Sequence, residues 1–439
     1  MRHKVGLLPY DDDTCGWVRL LPPRKNVRRV EGRMSFDWAV VGAGYAGLAA
    51  ARRLAEHFPE HSIAVIDAQR AGEGAAGRNS GFAIEIGPSP NAKVVSPEAT
   101  YGRAYRINRF GQDQLRQLVK KYQIDCDWRE VGKYQSAAED YHFGRLDTFA
   151  RHLEALGIPH EVIERDELAA RLGTRHYKRA VLTKQTVLVQ PAALTRGLAL
   201  NLPSNVSLLE ESPVLEYETG ADVKLTCPSG TVRAKKVILA TNSYLPQFGA
   251  WADGLIPFTL TAALTRPLTD EEHERLGAPE PWGVISIHRF GATVRYTVDR
   301  RILIRNTIEY WPEITMSRQD LYARRGLIEQ SFRARFPQLP DVTFEYFWTG
   351  VICASRNFTA GFGKIAENVY AAGGCNAGGI SRNTALGTLI ADYAVGATSE
   401  LLSEVLAMPT PAWVPQRPLR DIGVRIDLAR RRRGLGAEL

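Results

Sequence analysis

The run Val40-Val41-Gly42-Ala43-Gly44-Tyr45-Ala46-Gly47 constrains the fold of this chain more than any other stretch. It is an apolar strand end followed by Gly-x-Gly-x-x-Gly, and an acid, Asp67, stands twenty residues after the last glycine. The spacing predicts a short strand at Asp37–Val41, an Ala-rich helix beginning near Tyr45 and reaching His57, and a second strand at Ile63–Asp67. Each glycine has a task. Gly42 permits the tight turn, Gly44 lets the backbone approach a pyrophosphate, and Gly47 lets the helix pack close to the strand. The helix N-terminus offers free N–H groups and a positive dipole end to phosphate. Asp67 sits where a carboxylate accepts hydrogen bonds from ribose hydroxyls. The pattern commits the N-terminal part of the chain to a dinucleotide redox cofactor.

A chain of 439 residues exceeds one simple core and suggests two or three domains. No run approaches the roughly 18 apolar residues needed to span a bilayer. The longest apolar stretch, Trp38–Ala51, is interrupted by the three glycines of the turn. No apolar segment follows the basic N-terminal residues, so no signal peptide is expected. The five cysteines (Cys15, Cys126, Cys227, Cys353, Cys375) are odd in number, widely spaced and free of any CxxC pair, and no metal site is expected. A reducing cytoplasm is the simplest expectation. The net charge of +8 raises nucleic acid or a membrane surface as partners. The densest basic cluster is only Arg430–Arg433, and no aromatic-and-basic platform accompanies it, so nucleic-acid binding is not expected.

Further elements follow from periodicity and turn chemistry. Residues 1–34 read as an irregular, partly basic arm. A Gly/Ala-rich loop, Gly72–Gly81, contains Gly77-Arg78-Asn79-Ser80-Gly81. Tyr101–Tyr122, Leu146–Leu156 and Asp166–Leu172 are predicted helices, the last capped at Asp166. Val206–Leu209, Val214–Glu218, Val223–Thr226 and Val232–Ala234 are predicted strands, with a turn at Pro228-Ser229-Gly230. Lys236–Thr241 reads as a separate buried strand ending in small residues. Strand-rich sequence then runs from Thr259 to Arg305, and Arg318–Phe336 is a predicted amphipathic helix. Near the end, the strand Val369–Ala372 leads into Gly373-Gly374-Cys375-Asn376-Ala377-Gly378-Gly379-Ile380 and a helix at Thr384–Val395. This repeats the logic of the first motif, a glycine turn placing a helix N-terminus toward a polar ligand.

The order of these motifs resembles the D-amino-acid oxidase superfamily of FAD-dependent oxidoreductases, and is most similar to its γ-glutamylputrescine oxidase branch. The motifs are GxGxxG with its acid, Gly-Arg-Asn-Ser-Gly, Gln190-Pro191 opening a helix, the Val-Ile-Leu-Ala-Thr-Asn strand, and the C-terminal glycine turn. The resemblance implies an α/β fold of the two-domain α+β kind. A Rossmann-like FAD-binding domain (35–90, 175–245, 345–400) would join a substrate domain on a mostly antiparallel sheet (91–174, 246–344), flanked by the arm at 1–34 and a basic extension at 401–439. It also implies roles. Gly42, Gly44, Gly47 and Asp67 would bind the ADP half of FAD. Arg78, Asn79, Ser80 and Gly81 would pass close to the flavin ring and ribityl chain, and a backbone group at Val214 would meet the adenine. Ala240 and Thr241 would flank the cofactor. Gly373, Gly374, Gly378, Gly379 and Ile380 would place N–H groups near the flavin O2 and N1, where the reduced ring carries negative charge.

The chain departs from the branch at Ala377, where a histidine is usual, and at Cys375-Asn376 beside it. A related branch, the sarcosine oxidases, attaches FAD through a cysteine at about the distance of Cys353. The residues after Cys353 do not match that branch, so a buried free thiol and non-covalent FAD are expected. The implied reaction is oxidation of a C–N bond in a small amine or amino acid, with oxygen or another electron acceptor completing the cycle. The substrate wall should come from residues 284–311. His288 is a candidate to assist deprotonation of the substrate amine, Arg305 to pair with a substrate carboxylate, and Asn306 shares the strand with Arg305. On that strand Ile302, Ile304 and Asn306 point one way, and Arg301, Leu303 and Arg305 the other. The spacing Tyr296, Asp299, Arg301 is similar to that of the branch, and Asp299 and Arg301 read mainly as a structural hairpin. Two rival functions remain open: an FAD-dependent 2-hydroxy-acid dehydrogenase, needing a carboxylate-binding Arg and a proton-accepting His, and a flavoprotein subunit active only in a complex, with the basic tail as its docking element.

Overall fold

The strand expected at Asp37–Val41 is twice as long, Gly32–Val41, and lies within a nine-stranded sheet in the computed structural model, which describes residues 2–10, 12–88, 96 and 98–439. Five of its strands are parallel, in the order Val206–Leu209, Ile63–Ile66, Gly32–Val41, Gly230–Leu239, Val369–Gly373. Ile63–Ile66 is buried at every position, as a parallel strand covered on both faces requires. Val41 is opposite both Ile66 and Leu239, and Leu239 is opposite Ala371. The carboxyl ends of these strands are thus in register, and the turns after them open on one edge. Ligands bind at that edge in open α/β sheets. Antiparallel strands at Val223–Cys227, Glu216–Glu218 and Arg2–Lys4 extend one side, and Gly361–Ala366 lies beyond Val369–Gly373.

The helices Tyr45–His57, Arg103–Tyr122 and Gly379–Val395 cover one face of this sheet, sharing a core with Val40, Val65 and Ile238. A second sheet has eight strands, in the order Phe344–Ser355, Leu255–Thr265, Ile302–Tyr310, Thr293–Tyr296, Trp282–Ser286, Lys133–Ala137, Arg179–Thr183, His160–Glu164. Every neighbouring pair in it is antiparallel except Trp282–Ser286 with Lys133–Ala137. The helix Arg325–Arg335 packs Ile328 and Phe332 against Ile302, Ile304 and Val294 of this sheet.

Several elements differ from expectation. Val232–Ala234 and Lys236–Thr241 form one strand, Gly230–Leu239, because its alternating burial changes phase at Lys235-Lys236 and mimics an interruption. The C-terminal helix starts at Gly379, five residues early, with Gly378 as its N-cap and Gly379-Ile380-Ser381-Arg382 as its first turn. The strand beside Val214 is shortened to Glu216–Glu218. Arg318–Phe336 is two helices, Arg318–Tyr322 and Arg325–Arg335, and the Arg324 guanidinium between them turns back to Glu309 at 2.9 Å. The cap before Leu168 is Glu164, with Asp166 inside the first turn. Segments 179–183 and 344–355 belong to the eight-stranded sheet, although 175–245 and 345–400 were expected with the cofactor sheet. The expected boundary at residues 90 and 91 lies outside the described residues.

Both chain ends are docked. Arg2–Lys4 joins the nine-stranded sheet, and Trp17 is buried against Trp348 with ring centroids 6.3 Å apart. The expected basic extension contains the helix Leu419–Arg431, which packs Leu428 beside Phe290 and Tyr310. After it, Glu438 is fully buried, accepting from the Ala138 amide at 2.7 Å and the Ser286 hydroxyl at 2.6 Å. No helix among the described residues is long and apolar enough to cross a membrane. All five cysteines are buried and unpaired.

Candidate active site

A long cleft runs along the carboxyl edge of the parallel strands and on to the eight-stranded sheet. One end is built from backbone. Gly42 has φ +110°, and a Cβ there would stand 2.7 Å from the Ala240 carbonyl oxygen. A Cβ on Gly47 would stand 1.7 Å from the Gly42 oxygen, so the helix can approach the turn only without a side chain. The helix Tyr45–His57 has Gly44 as its N-cap and no side chain capping it. Its first N–H groups are therefore available to an anion. Asp67 closes this end. Its carboxylate accepts from the Ala43 amide at 2.5 Å and the Gln69 amide at 2.8 Å. Desolvation, aided by the Glu210 charge, raises the Asp67 pKa against the pull of those amides.

The same backbone device occurs again at Gly72-Glu73-Gly74-Ala75-Ala76-Gly77, whose Gly-x-Gly-x-x-Gly spacing lies within the stretch expected as a Gly/Ala-rich loop. Gly72 has φ +93° with its Cβ position 2.8 Å from the Ala192 oxygen, and a Cβ on Gly77 would lie 1.7 Å from the Gly72 oxygen. This second turn opens the short helix Ala75–Arg78 and delivers Arg78, Asn79 and Ser80 to the cleft wall. Arg78 is held from behind: its guanidinium donates to Asp12 at 2.6 Å and to the Thr349 carbonyl at 2.8 Å. Asn79 makes the turn that follows, accepting from the Gly81 amide at 2.8 Å.

The third contribution is the C-terminal glycine turn. Asn242, after the Ala240-Thr241 strand end, accepts from the Gly374 amide at 3.0 Å and so fixes that turn to the sheet. The chain then passes through left-handed conformations at Gly374 (φ +72°), Asn376 (φ +52°) and Ala377 (φ +71°). The helix Gly379–Val395 begins with Gly378 as its N-cap, again with no side-chain cap. Two uncapped helix N-termini thus border one cleft. Two cleft-lining side chains, Thr241 and Asn383, each have a buried oxygen without a hydrogen-bond partner. The uncapped turns, the Asp67 carboxylate and these orphaned oxygens fit an elongated dinucleotide with a polar ring system.

Among the residues expected to bind a cofactor, Gly42, Gly44, Asp67, Arg78, Asn79, Ser80, Val214, Ala240, Thr241, Gly379 and Ile380 line the cleft. Gly47, Gly81, Gly373, Gly374 and Gly378 stand behind it and shape its turns. Cys353 is fully buried beside Val369 and Ala371, behind the wall formed by Gly350, Val351 and Ile352, and burial raises its thiol pKa. Cys375 does line the cleft, and desolvation raises its pKa too.

The other end of the cleft is made by the eight-stranded sheet. Leu260, Ala262, Ile285, Thr293 and Arg305 line it. Arg305 is opposite both Ala262 and Thr293, so all three share the cleft face. Its guanidinium donates to the Thr293 hydroxyl and to the Gly291 carbonyl at 3.4 Å, and no carboxylate among the described residues pairs with it. Desolvation pushes it down to about 10.

The other two catalytic candidates lie elsewhere. Asn306 follows Arg305 on the strand and faces the opposite side, opposite Thr261, fully buried with neither amide atom partnered. His288 is buried beside His142, ring centroids 5.3 Å apart, and does not line the cleft. Burial, with the His142 and Arg145 charges, pushes it down to about 4. No histidine lines the cleft among the described residues. The N-terminal arm, in contrast, contributes Leu7, Leu8 and Pro9 to the wall, which its irregular sequence gave no reason to expect.

Over residues 37–393 the chain matches the sequence model of the family described as DAO: FAD dependent oxidoreductase. It is 28% identical over 372 residues to the gamma-glutamylputrescine oxidoreductase of Escherichia coli strain K12, covering 82% of this chain and 84% of the relative. Among solved structures, glycine oxidase from Geobacillus kaustophilus superposes with a TM-score of 0.69 at 19% identity, covering 84% of this chain and 96% of that one. Iminodiacetate oxidase from Chelativorans sp. BNC1 superposes with a TM-score of 0.67 at 18% identity, covering 85% and 100%. At these identities the superpositions speak for the fold.

Proposed function

The chain belongs to the DAO family of FAD-dependent oxidoreductases, and from that premise we propose that it oxidises the C–N bond of a small amino acid or amine bearing a carboxylate. FAD supplies the acceptor for a hydride equivalent from the substrate α-carbon, and the imine product hydrolyses in water. The protein's part is to bind, orient and exclude water.

Arg305 is the observation that carries this reading. A guanidinium on the cleft wall, desolvated and without a carboxylate of its own, is matched by a substrate carboxylate, which it would hold in charge-assisted hydrogen bonds. Thr293, beside Arg305, fixes the guanidinium's direction. The Gly42–Gly47 turn and the N-terminus of Tyr45–His57 would hold the pyrophosphate, and Asp67 the ribose. The N-terminus of Gly379–Val395 would donate to the flavin ring edge where negative charge accumulates on reduction. FAD would be held without a covalent bond, because Cys353 faces the core of the parallel sheet rather than the cleft.

The hydroxy-acid alternative would also use Arg305, but it needs a base strong enough to take a proton from a hydroxyl. The cleft wall offers no histidine among its described residues, whereas a neutral amine needs no such base. That favours amine chemistry. The test is anaerobic mixing of the flavin-loaded protein with amino acids, decarboxylated amines and 2-hydroxy acids, followed through the flavin absorption band. Bleaching by amino acids but not by their decarboxylated counterparts is expected. Bleaching by hydroxy acids alone would overturn the proposal. Acid precipitation should leave all the flavin in the supernatant.

A further inference from the structure

The helix Leu419–Arg431 is fixed to the molecule by one face only. Val424 and Leu428 pack beside Phe290 and Tyr310. The Tyr310 hydroxyl donates to Asp421 at 2.7 Å, and the Arg432 guanidinium, just past the helix, donates to the Ile308 carbonyl at 2.6 Å. At about 100° per residue, Leu419, Ile422, Ile426 and Ala429 fall together on the other side. All four are exposed, Leu419 by 67%, Ile422 by 56% and Ile426 by 54%, and Trp413, before the helix, is exposed by 61%. One exposed leucine is ordinary on a protein surface. Aliphatic side chains three and four residues apart form the buried stripe of an amphipathic helix, and here no described part of the chain covers it.

The residues around the stripe are cationic. Between residues 417 and 433 seven arginines stand against two aspartates. Both aspartates are engaged, Asp421 by Tyr310 and by Arg417 at 2.8 Å, and Asp427 by Arg431 at 2.6 Å. Arg430, on the outward side of the last turn, and Arg433 just after it are exposed and have no ion pair among the described residues. The occupant of this face must therefore offer apolar and anionic groups together. A nucleic-acid backbone meets the charge but leaves the isoleucines in water. A second copy in a two-fold pair would set the cationic patch against itself. A bilayer surface containing anionic phospholipid provides both, with hydrocarbon for the stripe, phosphate for the arginines, and the interfacial level at which indole rings such as that of Trp413 settle.

We propose that the helix Leu419–Arg431 docks the protein on an anionic membrane surface. The helix lies in the plane of the headgroups, with Leu419, Ile422 and Ile426 inserted and Arg430 and Arg433 on lipid phosphates. The attachment is peripheral, and salt weakens it by screening the arginines. The strand that anchors the helix, Ile302–Tyr310, is also the strand of Arg305, so bound lipid lies beside the substrate end of the cleft rather than the glycine turns.

The test is flotation of the FAD-loaded protein with vesicles of phosphatidylcholine alone or with about 30% phosphatidylglycerol added. Flotation with the anionic vesicles is expected, with little on the neutral ones, and it should fall as salt is raised to about 0.5 M. Ile422→Ser combined with Ile426→Ser, both at exposed positions, should weaken binding about tenfold or more while melting temperature and flavin content stay unchanged. Arg430→Gln combined with Arg433→Gln should weaken binding to the anionic vesicles alone. The vesicles should also shift the tryptophan emission to shorter wavelength, and Trp413→Phe should remove that shift. No flotation with anionic vesicles, or double variants that float as the parent does, overturns the proposal. So does a dimer in lipid-free sedimentation equilibrium that the isoleucine variant breaks, which would assign the face to a second copy.

Discussion

The two ends of the cleft are made by different means. At one, Gly42 and Gly44 form the surface from bare backbone with Gly47 behind them, and Asp67 is the one charged side chain closing the turn. At the other, a single side chain, Arg305, would carry the proposed recognition, and it depends on strands brought together from distant parts of the sequence. A backbone site is local and tolerates no added atoms. A side-chain site is assembled at long range, and its residue can be exchanged without disturbing the fold. Substitutions at the first end should therefore act on cofactor and stability, and at the second on substrate alone.

The largest effect belongs to Gly47→Ala. Its methyl would meet a carbonyl oxygen at 1.7 Å, which no side-chain rotation relieves. Loss of bound FAD and about 4 kcal/mol or more of stability are expected, read from the flavin-to-protein ratio and the melting curve. A fully flavinated variant would erase the contrast between the two ends. Arg305→Gln should keep its flavin and melting temperature and lose about 100- to 1,000-fold in kcat/KM for a carboxylate substrate, as truncation of a buried charge partner costs about 2–5 kcal/mol. Unchanged kinetics would remove Arg305 from the site.

The pH dependence of the same pair sharpens the contrast. Desolvation lowers the Arg305 pKa to about 10, so its charge is complete at neutral pH and is lost as pH rises through about 10. KM for a carboxylate substrate should climb there in the parent and stay flat in Arg305→Gln. At the first end, Asp67→Asn should raise the FAD dissociation constant about 10- to 100-fold, since a hydrogen bond to a charged acceptor contributes about 1.5–3 kcal/mol. The kcat of the fully loaded variant should be unaltered. The smallest effect is at Ala377, a residue with a Cβ held at φ +71°. Ala377→Gly should stabilise the protein by about 1 kcal/mol, a rise of a few degrees in Tm with flavin content unchanged.

This division also explains what could be read from the chain before its structure. The Gly42–Asp67 unit was legible because its geometry is written in consecutive residues: a glycine that must turn, a helix that must follow, an acid at a fixed distance. The turn at Gly72–Gly77 repeats both the geometry and the Gly-x-Gly-x-x-Gly spacing of the first, yet it reads as a Gly/Ala-rich loop because no strand leads straight into it. Arg305 and Asn306 are neighbours in sequence, and alternation separates their faces without saying which one meets the ligand. The choice is made by the partners, Ala262 and Thr293 for Arg305 and Thr261 for Asn306. His288 was a reasonable candidate by type, yet its loop folds away toward His142. The contribution of Leu7–Pro9 could not be seen at all, because nothing local marks an irregular arm that packs against residues hundreds of positions away.

The span of the cleft along the chain sets a schedule. Its walls take residues from Leu7–Pro9, the 41–84 region, 212–248, 260–305, 350–352 and finally 372–383. During synthesis at roughly 5–20 residues per second, Asp67 emerges on the order of half a minute before Ile380. For that interval the first glycine turn exists without the second, and a nucleotide could be gripped by one end only. The second turn is positioned by the last strand of the parallel sheet, Val369–Gly373, which pairs with Gly230–Leu239. Two-ended grip on the cofactor is thus expected only once the last part of the cleft has been made.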